Sequence, residues 1–96
     1  MTKQNVAIIG LGRIGSAFLS RMLVKLGGGI NLACAAEKKD TPGKAAAIAA
    51  RIKMVTLDDI VASGDKIDVI FELTGLPGVR KELREKLTAA NNRHTV

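Results

Sequence analysis

Aromatic side chains are almost absent from this chain of 96 residues, which has two Phe, no Tyr and no Trp. That lack argues against a platform for single-stranded nucleic acid, which relies on stacking rings. It also leaves a core built from Ile, Leu, Val and Ala. Cysteine occurs once, at Cys34, so no intramolecular disulfide can form, which fits a reducing, cytosolic compartment. Histidine occurs once, at His94, and no two His or Cys residues have metal-ligand spacing. Proline occurs only twice, against a Pro-rich or disordered linker. Long apolar runs are missing as well. Only Val6 to Ile9 separates the polar opening from Gly10, too short for the core of a signal peptide. No stretch approaches the ~18 residues of a membrane span. The expectation is a cytoplasmic protein with no membrane and no nucleic acid among its partners.

What is present suits one small globular domain, with 47% apolar and 25% charged residues. Net charge is +6, and the excess is uneven. The first fifty residues carry seven Lys or Arg against two acids, the last forty-six eight against seven. An excess of this sign favours anionic partners, nucleotide phosphates before nucleic acid.

Hydrophobic periodicity alternates along the chain. Val6-Ala-Ile-Ile9 predicts a strand covered on both faces. Residues 13 to 26 switch to helical spacing, with Ile14, Phe18, Met22 and Leu26 stepping by four beside Ala17 and Leu23. Gly27-Gly28-Gly29 stops that helix. Ile30 to Ala36 is a second strand. Thr41-Pro42 opens a second, Ala-rich helix as N-cap and first-turn proline. A short strand is expected within 53 to 55. Thr56-Leu-Asp-Asp59 has the capping-box pattern and starts a short helix ending near Ser63-Gly64. Val69-Ile-Phe71 is a further buried strand. Pro77 opens a helix with Val79, Leu83, Leu87 and Ala90 inward, ended by Asn91-Asn92. His94 to Val96 looks like the start of one more strand. Alternating strands and helices predict an α/β fold: a doubly wound parallel sheet with helices on both faces, in spatial order 3-2-1-4-5. The strand near residue 53 sits at one edge.

One constellation carries chemistry. Gly10-Leu11-Gly12-Arg13-Ile14-Gly15 is G-x-G-x-x-G, placed directly after an apolar strand and opening an amphipathic helix. Gly10 permits the tight turn, Gly12 lets a pyrophosphate approach the backbone, and Gly15 lets helix and strand pack closely. The free N–H groups at the helix start then face the phosphates. Glu37 lies 22 residues after Gly15, at the end of the second strand, where an acid accepts hydrogen bonds from the adenosine ribose. It favours NAD, while Lys38 and Lys39 beside it keep NADP open. Thr74 and Gly75 fall at the carboxyl end of the Val69 strand, across the crevice. Gly75 gives a dinucleotide room, and Thr74 is either a ligand to it or the N-cap of the next helix. Glu72 is either a site carboxylate or a solvated strand end, and the second is the expectation.

The stretch Val6 to Gly15 resembles the N-terminus of NAD(P)-binding Rossmann domains. Gly12-Arg-Ile-Gly15 and Phe71-Glu-Leu-Thr-Gly75 are similar to segments of the glyceraldehyde-phosphate and semialdehyde dehydrogenases. Val55-Thr-Leu-Asp-Asp59, then Ile67-Asp-Val-Ile70, then Asn91 to Val96 resembles the glucose-fructose oxidoreductase/inositol dehydrogenase group, and homoserine dehydrogenases open similarly. The likeness spans nearly the whole chain and implies a superfamily rather than one enzyme. It implies a three-layer αβα Rossmann domain at residues 1–96, truncated at the C-terminus, whose parent is an NAD(P)-dependent oxidoreductase. The Glu-Lys-Pro that follows the last strand in the oxidoreductase group is absent, as is the downstream nucleophilic Cys of the aldehyde dehydrogenases.

No catalytic residue or metal ligand is assigned. Cys34 lies in an apolar strand and reads as a small hydrophobe, and His94 has no visible orienting partner. The expected partners are a dinucleotide and the missing C-terminal domain of the parent, and the uncovered edge near Val96 leaves self-association open. By itself the chain is expected to bind cofactor without transferring hydride. The alternative is the same fold as a nucleotide-sensing or interaction module of a regulatory protein.

Overall fold

A strand apolar on both faces is stable only in the middle of a covered sheet. The computed structural model, which describes residues 4–24, 30–92 and 95, puts Val6 to Ile9 there. The order is β1 (Gln4–Ile9), α1 (Arg13–Val24), β2 (Ile30–Ala36), α2 (Pro42–Ala49), β3 (Lys53–Met54), α3 (Leu57–Ala62), a 3-10 turn at Gly64–Lys66, β4 (Val69–Glu72) and α4 (Pro77–Ala89). Every pairing is parallel, and the strands run β3-β2-β1-β4 across the sheet. That is the expected order for four strands, with the two-residue β3 at one edge. The expected glycine stop at 27–29 and the fifth strand at 94–96 lie outside the described residues, Thr95 excepted.

Alternate strand residues feed two cores. Val6, Ile8, Leu32 and Ala35 pack with Leu19 and Met22 of α1 and Ala47 of α2. Ala7, Ile9, Cys34 and Ala36 pack on the other face with Ile60 of α3 and Leu83 of α4. The fold is therefore a three-layer, Rossmann-like αβα sandwich. A register shift keeps both faces in phase: Val6 pairs with Leu32 but Ala7 with Cys34, so Ala33 is the extra residue of a bulge. Burial pushes the Cys34 thiol pKa up, opposed by nearby Lys53. The protein's two aromatic rings meet, Phe18 of α1 against Phe71 of β4 with centroids 4.7 Å apart, and so tie α1 to β4.

The expected caps are in place. Thr41 Oγ1 accepts from the Lys44 N–H at 3.0 Å, with Pro42 in the first turn of α2. Thr56 and Asp59 form a reciprocal capping box at α3. Asn91 follows α4 at a φ of 56°, in the left-handed region where Asn is tolerated.

The expected face of α1 holds at Phe18, Met22 and Leu23, which pack on the core, but not at its start. Its buried positions are Gly15, Leu19 and Met22, while Ile14 is 68% exposed. The cause is contact at the helix start. A Cβ on Gly15 would lie 1.9 Å from the Gly10 carbonyl oxygen, so α1 turns its glycine inward. Ile14, one residue earlier and ~100° round the axis, then faces out.

Candidate functional site

The sheet reverses direction of winding at β1, between β2 on one side and β4 on the other. In such sheets ligands bind outside the carboxyl ends of the strands at that switch point. Here the three ends are flush. Ile9 pairs with Ala36 and with Glu72. The Gly10 N–H donates to the Ala36 carbonyl at 2.9 Å, and the Leu73 N–H to the Ile9 carbonyl at 2.7 Å. Residues 10–15, 37–39 and 73–76 therefore leave the sheet side by side.

The three glycines of the first turn have three different surroundings. Gly10 has a φ of +100°, and a Cβ there would lie 2.7 Å from the Thr74 nitrogen, so it lets the turn pass against the end of β4. Gly15 is closed by the Gly10 carbonyl, as described. A Cβ on Gly12 would meet nothing within 4 Å. Two glycines are thus required by the protein's own packing, and the third opens onto free space. Arg13 and Ile14 are exposed beside it. The first intrahelical bond runs from the Ser16 N–H to the Gly12 carbonyl at 2.8 Å. The N–H groups of Arg13, Ile14 and Gly15 consequently have no acceptor within the helix. No acid occupies the first turn of α1 to compete for them.

Leu11 is fully buried, and its peptide is held from both sides. Its N–H donates to Glu37 Oε1 at 2.8 Å. Its carbonyl accepts from Thr41 Oγ1 at 2.7 Å and from Ser16 Oγ at 3.0 Å. Glu37 Oε2 also accepts from the Lys39 N–H at 3.2 Å. The carboxylate thus fixes the Gly-rich turn while each oxygen keeps a further lone pair for a donor from outside. Lys38 and Lys39 are exposed next to it.

Three tethers around this turn were not read in the sequence. Ser16 and Thr41 carry no motif beyond helix and cap. Gly43 sits where a Cβ would be 2.0 Å from Ser16 Oγ and 2.7 Å from the Leu11 carbonyl oxygen, which lets α2 start directly on the turn.

The β4 end is also organised, and here one expectation is corrected. The Glu72 side chain is only 9% exposed, not a solvated strand end. One oxygen accepts from both the N–H and the hydroxyl of Thr74, and the other lies 3.5 Å from Arg80 Nε. Thr74 Oγ1 in turn accepts from the Leu76 N–H at 3.1 Å. Thr74 is therefore not the N-cap of α4; that position is Leu76, which makes no side-chain capping bond. Gly75 follows at a φ of +71° with free space at its Cβ position. Beyond it a cleft of about 480 Å³ is lined by Gly75, Leu76, Pro77, Arg80, Lys81 and Arg84.

Among the described residues no group of three or more His, Cys, Asp or Glu side chains is placed to share a metal ion. Cys34 is buried within β2, and His94 lies outside the described residues. No described helix is long and apolar enough to cross a membrane.

No family model and no curated protein matches the chain. Solved structures do. An NAD-binding protein from Listeria innocua superposes over 98% of the chain with a TM-score of 0.71 at 20% identity, using 26% of its own length. Scyllo-inositol dehydrogenase from Lactobacillus casei, solved with NAD(H) and scyllo-inositol, covers 98% with a TM-score of 0.70 at 21% identity, using 27% of its length. Homoserine dehydrogenase from S. aureus covers 99% with a TM-score of 0.67 at 19% identity, using 25% of its length. The likeness is one of fold, and the chain spans about a quarter of the length of the structures it matches.

Proposed function

We propose that residues 10–15, with Glu37 and the turn at Thr74-Gly75, bind a nicotinamide dinucleotide, and that the chain is the cofactor-holding domain of a longer cytoplasmic oxidoreductase. The observation that carries this reading is the contrast among the glycines. Gly10 and Gly15 are crowded by protein, whereas the space beside Gly12 is open where a pyrophosphate would approach. The N–H groups of Arg13, Ile14 and Gly15 would hold the phosphates at the positive end of α1. The lone pairs Glu37 retains would accept the adenosine ribose hydroxyls, and a 2′-phosphate there would meet a negative charge, so NAD is favoured over NADP. Lys38 and Lys39 oppose that preference without removing it. Gly75 and Thr74 would border the nicotinamide half. Bound there, the dinucleotide supplies a hydride acceptor or donor. The substrate pocket and its acid or base would come from elsewhere in the longer protein, as is usual when a Rossmann unit only positions the cofactor.

Linkage gives a direct test. A ligand at a hundred times its Kd stabilises the folded state by about 2.7 kcal/mol, which raises Tm by roughly 10–20 °C in a chain of this size. NAD is expected to raise the Tm of the wild type and to leave Gly12→Val unmoved, with both proteins folded in its absence. Equal rises in the two proteins refute the assignment.

A further inference from the structure

We propose that the cleft at the start of α4 binds the anionic group of a small organic molecule, a phosphate ester or a carboxylate, beside the cofactor site. It is an open cleft of about 480 Å³ lined by Gly75 and Leu76 of the turn and by Pro77, Arg80, Lys81 and Arg84, which share one stripe of α4. The three cations come from one face of one helix. Residues 80 and 84, and 81 and 84, are spaced four and three apart, on the flank of the stripe that turns Val79, Leu83 and Leu87 inward.

A row of cations on a solvated helix face is ordinarily neutralised by acids three or four residues away. Here that pairing is incomplete. Glu82 of α4 pairs with Lys86 at 3.9 Å, outside the cleft, and Glu85, four residues from Lys81, forms no ion pair with it. Among the described residues Lys81 and Arg84 form no ion pair, and only Arg80 is engaged, through its Nε with Glu72. Two of the three cations that line the cleft thus lack an ion-pair partner among the described residues. The cleft also has an apolar wall, since Leu76 is 59% exposed. The guanidinium of Arg84 offers a planar fork that fits phosphate or carboxylate oxygens, while Leu76 and Pro77 suit a carbon skeleton. A fully hydrated ion needs no such wall.

The cleft starts from the segment that packs on the Gly-rich turn. The Gly10 position touches the backbone of Leu73 and Thr74, and the cleft begins one residue later at Gly75. A molecule anchored there would lie next to the nicotinamide half of a dinucleotide; this placement rests on the dinucleotide reading, whereas anion binding by the cleft does not.

The test follows backbone amide resonances of the full 96-residue chain by nitrogen–proton correlation at constant ionic strength. Inorganic phosphate, succinate and uncharged inositol are titrated separately, each with and without excess NAD. Phosphate or succinate is expected to shift Gly75, Leu76, Lys81 and Arg84 saturably, also with NAD present, and inositol is not. The stronger of the two anions identifies the group. The double variant Lys81→Gln, Arg84→Gln is expected to weaken the anion at least tenfold and to leave NAD affinity within about twofold. Shifts confined to residues 10–15, equal shifts with inositol, no saturation, or undiminished affinity in the double variant would each overturn the proposal. Failure of NAD to bind while the anion still saturates the cleft would instead overturn the dinucleotide reading and its neighbouring placement.

Discussion

At the scale of single residues, the Gly-rich turn separates two positions closed by the protein's own packing from one that is open. Gly15→Ala places a methyl group 1.9 Å from the Gly10 carbonyl oxygen. Neither atom belongs to a flexible side chain, so the helix start must move. The substitution is expected to cost about 3 kcal/mol and to lower Tm by more than about 10 °C. Gly12→Ala meets free space and is expected to stay within about 1 kcal/mol of wild type. Thermal unfolding of the two variants checks this, and equal losses would mean that the glycines are not differentiated. The G-x-G-x-x-G spacing and Glu37 were legible because local chemistry dictates them. Gly43, Ser16 and the burial of Glu72 were not, because each depends on how neighbouring segments pack: Gly43 against Ser16 and the Leu11 turn, and Glu72 under Thr74 and Arg80.

At the scale of elements, α3 has six residues and relies on its ends. Thr56 Oγ1 accepts from the Asp59 N–H at 3.1 Å, and Asp59 Oδ2 accepts from the Thr56 N–H at 3.0 Å. Hydrogen bonds from the Thr56 backbone first, and its side chain second, hold the Asp59 carboxyl below its ordinary pKa. A depressed folded pKa means that the unfolded chain binds the proton more readily. The stabilisation is therefore full above the unfolded value of about 4 and is lost as pH falls through the lower folded value. Asp59→Asn is expected to flatten stability in that acid range, and Thr56→Ala to cost about 1 kcal/mol at neutral pH. Denaturant unfolding at several pH values measures both, and an unchanged acid slope in Asp59→Asn would contradict the capping account. Capping signals made α2 and α3 legible at their starts. The exposure of Ile14 was not, since Ile14 and Leu19 are equally apolar in sequence and the packing of Gly15 on Gly10 decides which faces the sheet.

At the scale of the whole molecule, strand order follows from right-handed crossovers between parallel strands. The order places the ends of β1, β2 and β4 together. The glycine turn, the acid and the Thr74-Gly75 turn are distant in sequence and adjacent only because β1 sits between β2 and β4. The central claim is that this meeting point holds a dinucleotide and that Glu37 sets its preference. Calorimetric titration of the wild type, Gly12→Val and Glu37→Ala with NAD and with NADP tests it most directly. The wild type is expected to bind NAD more tightly than NADP, and Gly12→Val to bind neither. Glu37→Ala is expected to lose about tenfold in NAD affinity, as for one lost charge-assisted hydrogen bond, and to discriminate less between the two. Tighter binding of NADP by the wild type would show that Lys38 and Lys39 override Glu37, and equal affinities in wild type and Gly12→Val would contradict the site itself.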